Sequence, residues 1–223
     1  MSEDQNWATV IPAYNQPVRL QKTIENLPRQ LRNLIIVIDD GSSIPLQAEN
    51  VEMIRHEENR GYGAAQKSGY EFALSKGATH IALVHGDCQY DPKAYEPALP
   101  LMNEFDVALG SRFLSDNAVG MPIWRKKGNR FLTGLANFRF QSNHTDLHTG
   151  ARLFSANTLS KAPLTNFSND FRFDHQLLVW AIQNKLKISE FPIPANYEDG
   201  VSSIPPLKAI KYAAGCLLSI IAP

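Results

Sequence analysis

The run Val84-His85-Gly86-Asp87-Cys88-Gln89-Tyr90-Asp91-Pro92 puts three metal-capable side chains within five positions. Asp87 offers a hard carboxylate oxygen. Gln89, two residues on, offers an amide oxygen on the same side of an extended chain. A divalent cation that bridges phosphate groups needs few protein ligands, because phosphate oxygens and water complete its shell. His85 would add a nitrogen, which suits manganese better than magnesium. A turn-capping aspartate and an ordinary strand-end histidine would produce the same letters, and for His85 the two readings stand level. Two more polar clusters occur upstream, Pro12-Ala13-Tyr14-Asn15-Gln16-Pro17 and Asp39-Asp40-Gly41-Ser42-Ser43. Carboxylates accept from ribose hydroxyls and base edges, and Asp40 is the better placed of the pair. DDGSS equally suits a turn and helix cap, so the argument rests on all three clusters converging.

Elements that could make them converge are legible as alternating strand and helix patterns. ATVIPA (Ala8 to Ala13), NLIIVIDD (Asn33 to Asp40), VEMI, THIALV (Thr79 to Val84) and FDVALGSRF (Phe105 to Phe113) read as strands. VRLQKTIENLPRQL and GAAQKSGYEFALSKG, the latter closed by Gly77, read as helices between them. This interleaving predicts an α/β fold with a mostly parallel central sheet and helices on both faces, and ligands of such sheets sit at the carboxyl ends of strands. All three clusters follow strands. Downstream, PIWRKKGNRFLTGLANFRF (Pro122 to Phe140) is expected to be a helix opened by proline, LLVWAI a buried helix and LKISEFPI a strand.

Composition narrows the partners. The 223 residues suit one domain with a sizeable core, and 22 basic against 22 acidic residues leave no net field to draw in nucleic acid. Cys88 and Cys216 form no Cys-x-x-Cys pair, and MSEDQNW lacks signal-peptide features, so the expected location is cytoplasmic. The apolar tail AAGCLLSIIAP is about half the length of a membrane span. We expect a catalytic domain over residues 1–204 and an amphipathic helix over 205–223 that packs on the domain, lies on the inner face of a membrane, or mediates a homodimer.

Other motifs are weaker. The run Asn59-Arg60-Gly61-Tyr62-Gly63-Ala64-Ala65-Gln66 fails the dinucleotide fingerprint at Gln66, and close packing accounts for its small residues better than free amides awaiting a ligand. The cations Arg125, Lys126, Lys127 and Arg130 form a basic run of the kind that suits a solvated helix face. Asp174 and Asp170 are carboxylates that could act as a general base or cap a helix.

The ordered set VIPAYNQ, VIDDGS, ENRGYGAAQKSGY, HGDCQYDP, GSRF, TGARLFS, FRFDHQLL and SEFPIPANY resembles the family 2 glycosyltransferases over about Ala8 to Tyr197. Within them it is most similar to the catalytic domains of dolichyl-phosphate and polyprenyl-phosphate sugar synthases. The resemblance implies a GT-A fold, a manganese or magnesium ion, and inverting transfer from a nucleotide-diphospho-sugar to a lipid-phosphate or glycan acceptor. A UDP-sugar is mildly favoured over a GDP-sugar.

Carried over residue by residue, the resemblance puts Pro12, Tyr14, Gln16, Asp40 and Gly86 at the nucleotide sugar, and His85, Asp87 and Gln89 at the metal motif. His85 stands where the family has an aspartate, and Gln16 where an acidic residue is common. Arg112 of GSRF matches a position near the donor phosphates, where a guanidinium can stabilise a departing diphosphate. Arg130 is a weaker candidate for the acceptor side, a surface charge being an equally good reading, and Asp174, with Asp170 second, could serve a hydroxyl acceptor as general base or cap a helix. A sugar-phosphate nucleotidyltransferase would want a basic, glycine-rich loop where PAYNQP stands. A non-catalytic nucleotide-sugar-binding scaffold remains the alternative.

Overall fold

A computed structural model describes residues 5–114, 120–197 and 206–221. Seven strands form one sheet in the order β3-β2-β1-β4-β6-β5-β7. They are β1 Trp7–Ala13, β2 Leu34–Asp39, β3 Glu52–Arg55, β4 His80–Leu83, β5 Val107–Ser111, β6 Arg152–Ser155 and β7 Ile188–Pro192. The helices are α1 Pro17–Glu25, α2 Tyr62–Ser75, α3 Ile123–Phe140, α4 Ala156–Lys161, α5 Arg172–Gln183 and α6 Pro206–Ile221.

Strand alternation builds two cores, one on each face. Ala8 and Val10 of β1 with Ile36 and Ile38 of β2 pack with Tyr70 of α2 and Phe173 and Leu177 of α5. Trp7, Ile11, Ile35 and Val37 point the other way, onto Leu20 of α1, Leu31 and Tyr95. Both faces of β1 and β2 are therefore apolar, which is why these strands read as continuous hydrophobic runs.

Two expectations from the sequence are modified. The first helix ends at Glu25, and a separate 3-10 turn covers Arg29–Arg32, because Pro28 cannot continue an α-helix. A prolonged 3-10 segment, Pro92–Asn103, follows the metal-like motif and contains Pro97 and Pro100. The strand β6 lies within TGARLFS, where no strand is expected from the sequence pattern.

Strand direction gathers the clusters. β1 pairs in parallel with β2 and β4, β2 with β3, and β5 with β7, whereas β6 runs antiparallel between β4 and β5. The carboxyl ends of β1, β2, β3, β4, β5 and β7 consequently share one edge with the amino end of β6. Register seats Arg152 opposite both Leu83 and Leu109. Segments 13–16, 39–43, 56–63, 84–91, 111–113, 145–151 and 193–197 all emerge along this edge.

Candidate active site

At the ends of β1 and β2 the two loops are laced together. Asn15, with φ 54°, donates its backbone N–H to Ser42 Oγ at 2.8 Å and accepts from the Ser43 N–H at 2.8 Å. Pro12 is buried beneath them and Gln16 is half-buried at the start of α1, while Tyr14 presents its ring to solvent with 47% exposure. Asp39 accepts from the N–H groups of Ser42 and Leu46 and pairs with Arg55. Although burial opposes it, this set of hydrogen bonds holds the Asp39 carboxyl below its ordinary range.

Asp40 is committed to the neighbouring loop. It accepts from the backbone N–H groups of Arg60 at 3.0 Å and Gly61 at 2.9 Å, and its Oδ1 lies 2.6 Å from His56 Nδ1. His56 in turn lies 2.9 Å from Ser68 Oγ. Asp40 thus shapes the loop as firmly as it faces any ligand. The following helix start is packed rather than open. Gly61 has φ 102°, and a Cβ there would collide with the Asn169 carbonyl, which itself accepts from the N–H groups of Gly63 and Ala64. Those amides already have a partner.

At the end of β4, Asp87 is 6% exposed. Its Oδ1 accepts from the Gln89 N–H at 2.9 Å, and its Oδ2 has no hydrogen-bond donor among the described residues. Cys88, at φ 59°, turns its thiol away toward the Arg19 carbonyl, which lets Asp87 and Gln89 flank the same loop. Gly86 packs against Ile11 and Pro12, where a Cβ would sit 3.2 and 3.4 Å from their atoms. His85 lies between Tyr62 and Tyr90, with Nε2 2.5 Å from the Tyr62 hydroxyl. A Cβ at Gly150 would collide with that nitrogen, so only glycine fits beside the ring. With its proton on Nε2, facing Tyr62, the imidazole would keep the Nδ1 lone pair for a ligand. The free Asp87 oxygen, the Gln89 amide and Nδ1 suit a hard to borderline cation completed by phosphate and water.

Arg112 is not a free cation. It is 3% exposed and grips Asp146 through Nε at 2.7 Å and Nη2 at 2.9 Å, while Nη1 donates to the Tyr197 hydroxyl at 2.8 Å. Among the described residues, one N–H on each terminal nitrogen has no acceptor. Burial would raise the Asp146 carboxyl, but Arg112 holds it below the ordinary range. Burial pushes the Tyr197 phenol up to about 12, so its O–H stays available as a donor while its oxygen accepts from Arg112. The guanidinium of exposed Arg130 lies 4.9 Å from the Phe113 ring centre, and that of Arg125 lies 5.7 Å from the Tyr197 ring. The Asn196 N–H donates to the Gln89 carbonyl at 2.9 Å. Three arginines therefore collect on the Gln89 side of the edge.

Asp174, 7% exposed in the first turn of α5, accepts from Gln66 Nε2 at 2.8 Å and lies 3.3 Å from Nη1 of the wholly buried Arg152. Asp170 is exposed and paired with Arg172. Sequence reasoning missed His56, Tyr62, Asp146, Arg152 and Tyr197. The available signals were a histidine directly after VEMIR and an arginine and an aspartate in the stretch TDLHTGARLF.

Comparison with known proteins agrees with this geometry. The family model for glycosyl transferase family 2 matches residues 9–161. An uncharacterised protein of Methanocaldococcus jannaschii is 32% identical over 200 residues, covering 85% of this chain and 81% of its own. A UDP-N-acetylglucosamine–dolichyl-phosphate N-acetylglucosaminyltransferase of Methanococcus voltae is 27% identical over 214 residues, covering 85% of each chain. Among solved structures, glucosyl-3-phosphoglycerate synthase of Mycobacterium tuberculosis, in complex with Mn2+, UDP-glucose and phosphoglyceric acid, superposes with a TM-score of 0.75. That match has 14% identity and covers 98% of this chain and 79% of the other, so it speaks to the GT-A fold alone. With the family model spanning most of the sheet and its edge loops, the chain belongs to glycosyl transferase family 2 and is a glycosyltransferase that takes its sugar from a nucleotide sugar.

Proposed function

We propose that the enzyme transfers a hexose from a UDP-sugar to a lipid-phosphate acceptor, with inversion and with a divalent cation. The observation that carries this reading is the carboxylate state at the sheet edge. Asp39 and Asp40 are held by several donors each, whereas Asp87 keeps one oxygen free beside Gln89. Asp87 and Gln89, with His85 through Nδ1, would hold a manganese or magnesium ion, which supplies positive charge against the departing diphosphate. The dolichyl-phosphate relative is named for a UDP-sugar donor, and this supports UDP here.

The nucleoside would lie across Pro12, Tyr14 and Gln16 on the loop that Asp40 shapes, with Gly86 allowing close approach. In a single displacement the acceptor oxygen forms a bond to the anomeric carbon as the bond to the diphosphate oxygen breaks, and the electron pair leaves with UDP. Inversion follows from attack on the opposite face. The remaining N–H groups of Arg112 and the Tyr197 hydroxyl would steady the leaving diphosphate. A phosphate acceptor is already anionic and gives up no proton. A hydroxyl acceptor would need a base, and Asp174 is the candidate for it.

The acceptor assignment draws support from α3. Trp124, Phe131 and Phe138 are exposed along it, beside Lys127, Arg130 and Arg139. Apolar surface next to cations suits a lipid tail joined to a phosphate. Among the described residues no helix is long and apolar enough to cross a membrane. The test is to supply radiolabelled UDP-sugars with and without a polyprenyl phosphate and to follow label in lipid together with UDP release. Lipid labelling that needs both manganese and Asp87 supports the proposal. UDP release driven equally well by soluble saccharides would sink the acceptor assignment.

A further inference from the structure

His148, His175 and Cys216 bring one ring nitrogen each and a thiol sulfur within 4.8 Å of one another. They come from three separate elements: the segment before β6, the first turn of α5, and the middle of α6. His175 is wholly buried, and among the described residues neither of its ring nitrogens makes a well-formed hydrogen bond, nor does Nε2 of His148, although the Cys216 backbone lies close enough to favour the charged His175 ring. Orphaned buried nitrogens are rare, because each forfeits its hydration without compensation. Three orphaned imidazole nitrogens around one sulfur need a common explanation.

We propose that this cluster is a zinc site, separate from the hard-cation site at Asp87, that fastens α6 to the catalytic domain. Nitrogen and thiolate ligands suit zinc and disfavour magnesium or manganese. Tetrahedral zinc, with bonds of about 2.0 Å to nitrogen and about 2.3 Å to sulfur, sets its ligand atoms about 3.3–3.5 Å apart. The rings and the thiol would draw together by up to about 1.5 Å from their 4.8 Å envelope to close around the ion. The outer partner is already in place: His148 Nδ1 lies 2.9 Å from the Tyr212 hydroxyl, so a proton on Nδ1 leaves the Nε2 lone pair free to ligate.

The protonation states agree. Burial lowers His148 to about 3 and His175 to about 4, so both rings are neutral, which is the ligating form. Burial raises the Cys216 thiol to about 12, although Tyr212 and Arg172 favour its thiolate. Zinc would displace the thiol proton to solvent, and the thiolate formed would offset the positive field of nearby Arg152. The fourth position is left to water.

The experiment uses the full chain carrying Asp87→Ala, which removes the hard-cation site, after treatment with a strong chelator. Zinc is titrated against a chromophoric competitor, with manganese in parallel, and cobalt is added separately to read the ligand set by absorption. Expected are one zinc per chain, no comparable manganese binding, and a thiolate-to-cobalt charge-transfer band that survives Cys88→Ser. Cys216→Ser should abolish that band and weaken zinc by more than about 100-fold, while Tyr212→Phe weakens it by about 10-fold. Failure of the parent protein to hold zinc against the competitor would overturn the proposal, as would a cobalt spectrum without thiolate character. Undiminished zinc binding by a Cys216→Ser protein that keeps its far-UV circular dichroism would overturn it too. The cobalt spectrum of the parent protein keeps the test decisive even where a variant does not fold.

Discussion

The ends of β2 and β4 lie on the same edge of one sheet and both present aspartate, yet the two sites are built differently. At β2, Asp39 and Asp40 have gathered backbone N–H groups, Arg55 and His56 around their oxygens. At β4, Asp87 takes a single hydrogen bond from its own loop, and its other oxygen has no donor among the described residues. A carboxylate saturated by protein donors has little capacity left for a ligand, whereas a half-satisfied one retains the lone pairs that a cation needs. The β2 carboxylates hold their loops together, and the β4 carboxylate is the one the proposed cation would use.

This contrast yields tests that separate activity from stability. The largest effect is expected at Asp87. Asp87→Ala should lower kcat/KM by at least about 10³-fold while leaving the urea midpoint close to that of the parent, because only one local hydrogen bond is lost. A large fall in stability would erase the distinction between the two strand ends. At the other extreme, Asp146→Ala leaves the guanidinium of Arg112 buried without its partner, and should destabilise the fold by about 3–5 kcal/mol. Equilibrium urea unfolding checks it. Asp40→Ala removes the acceptor for two backbone N–H groups and His56, and should cost about 1–3 kcal/mol and raise the KM for donor through a loosened loop. An unchanged KM with lost turnover would instead assign Asp40 to the chemistry.

The saturated carboxylates also set a pH window. Asp39 and Asp146 have folded pKa values below their ordinary value of 3.8. The unfolded chain therefore takes up protons at these positions first as pH falls, so their stabilisation is complete above the unfolded value and lost as pH drops through the folded one. Tm should decline from about pH 4 downward, and Asp39→Asn should flatten part of that decline. A Tm that falls equally in the variant would remove Asp39 from the account.

What the sequence disclosed follows the range over which each contact acts. The strands were legible because β1 and β2 are apolar on both faces, and the pairing of Asp87 with Gln89 was legible because the two lie only two residues apart. The partners that define the other side chains lie far along the chain: Arg112 meets Tyr197 across 85 positions and Gln66 meets Asp174 across 108. No local pattern could report that Arg112 is enclosed, or that the glycine-rich turn at Gly61 already surrounds the Asn169 carbonyl. His56 went unnoticed because the short β3 was not followed to its end, where its imidazole meets Asp40.

The smallest expected effect is the most informative about the acceptor. Asp174 resembles the carboxylates of β2 more than Asp87, since Gln66 and the buried Arg152 both engage its Oδ1. Removing a working general base typically costs about 10²–10⁴ in rate. A phosphate acceptor requires no proton transfer, so Asp174→Asn, which keeps the shape and an acceptor oxygen for Gln66, should retain kcat within about tenfold while lowering Tm through the weakened pairing with Arg152. The pH dependence of kcat should match that of the parent across the range where a carboxylate base would titrate. A loss near a thousandfold, with the Tm preserved and the acidic limb of the profile changed, would mark Asp174 as the base and turn the acceptor from a phosphate into a hydroxyl.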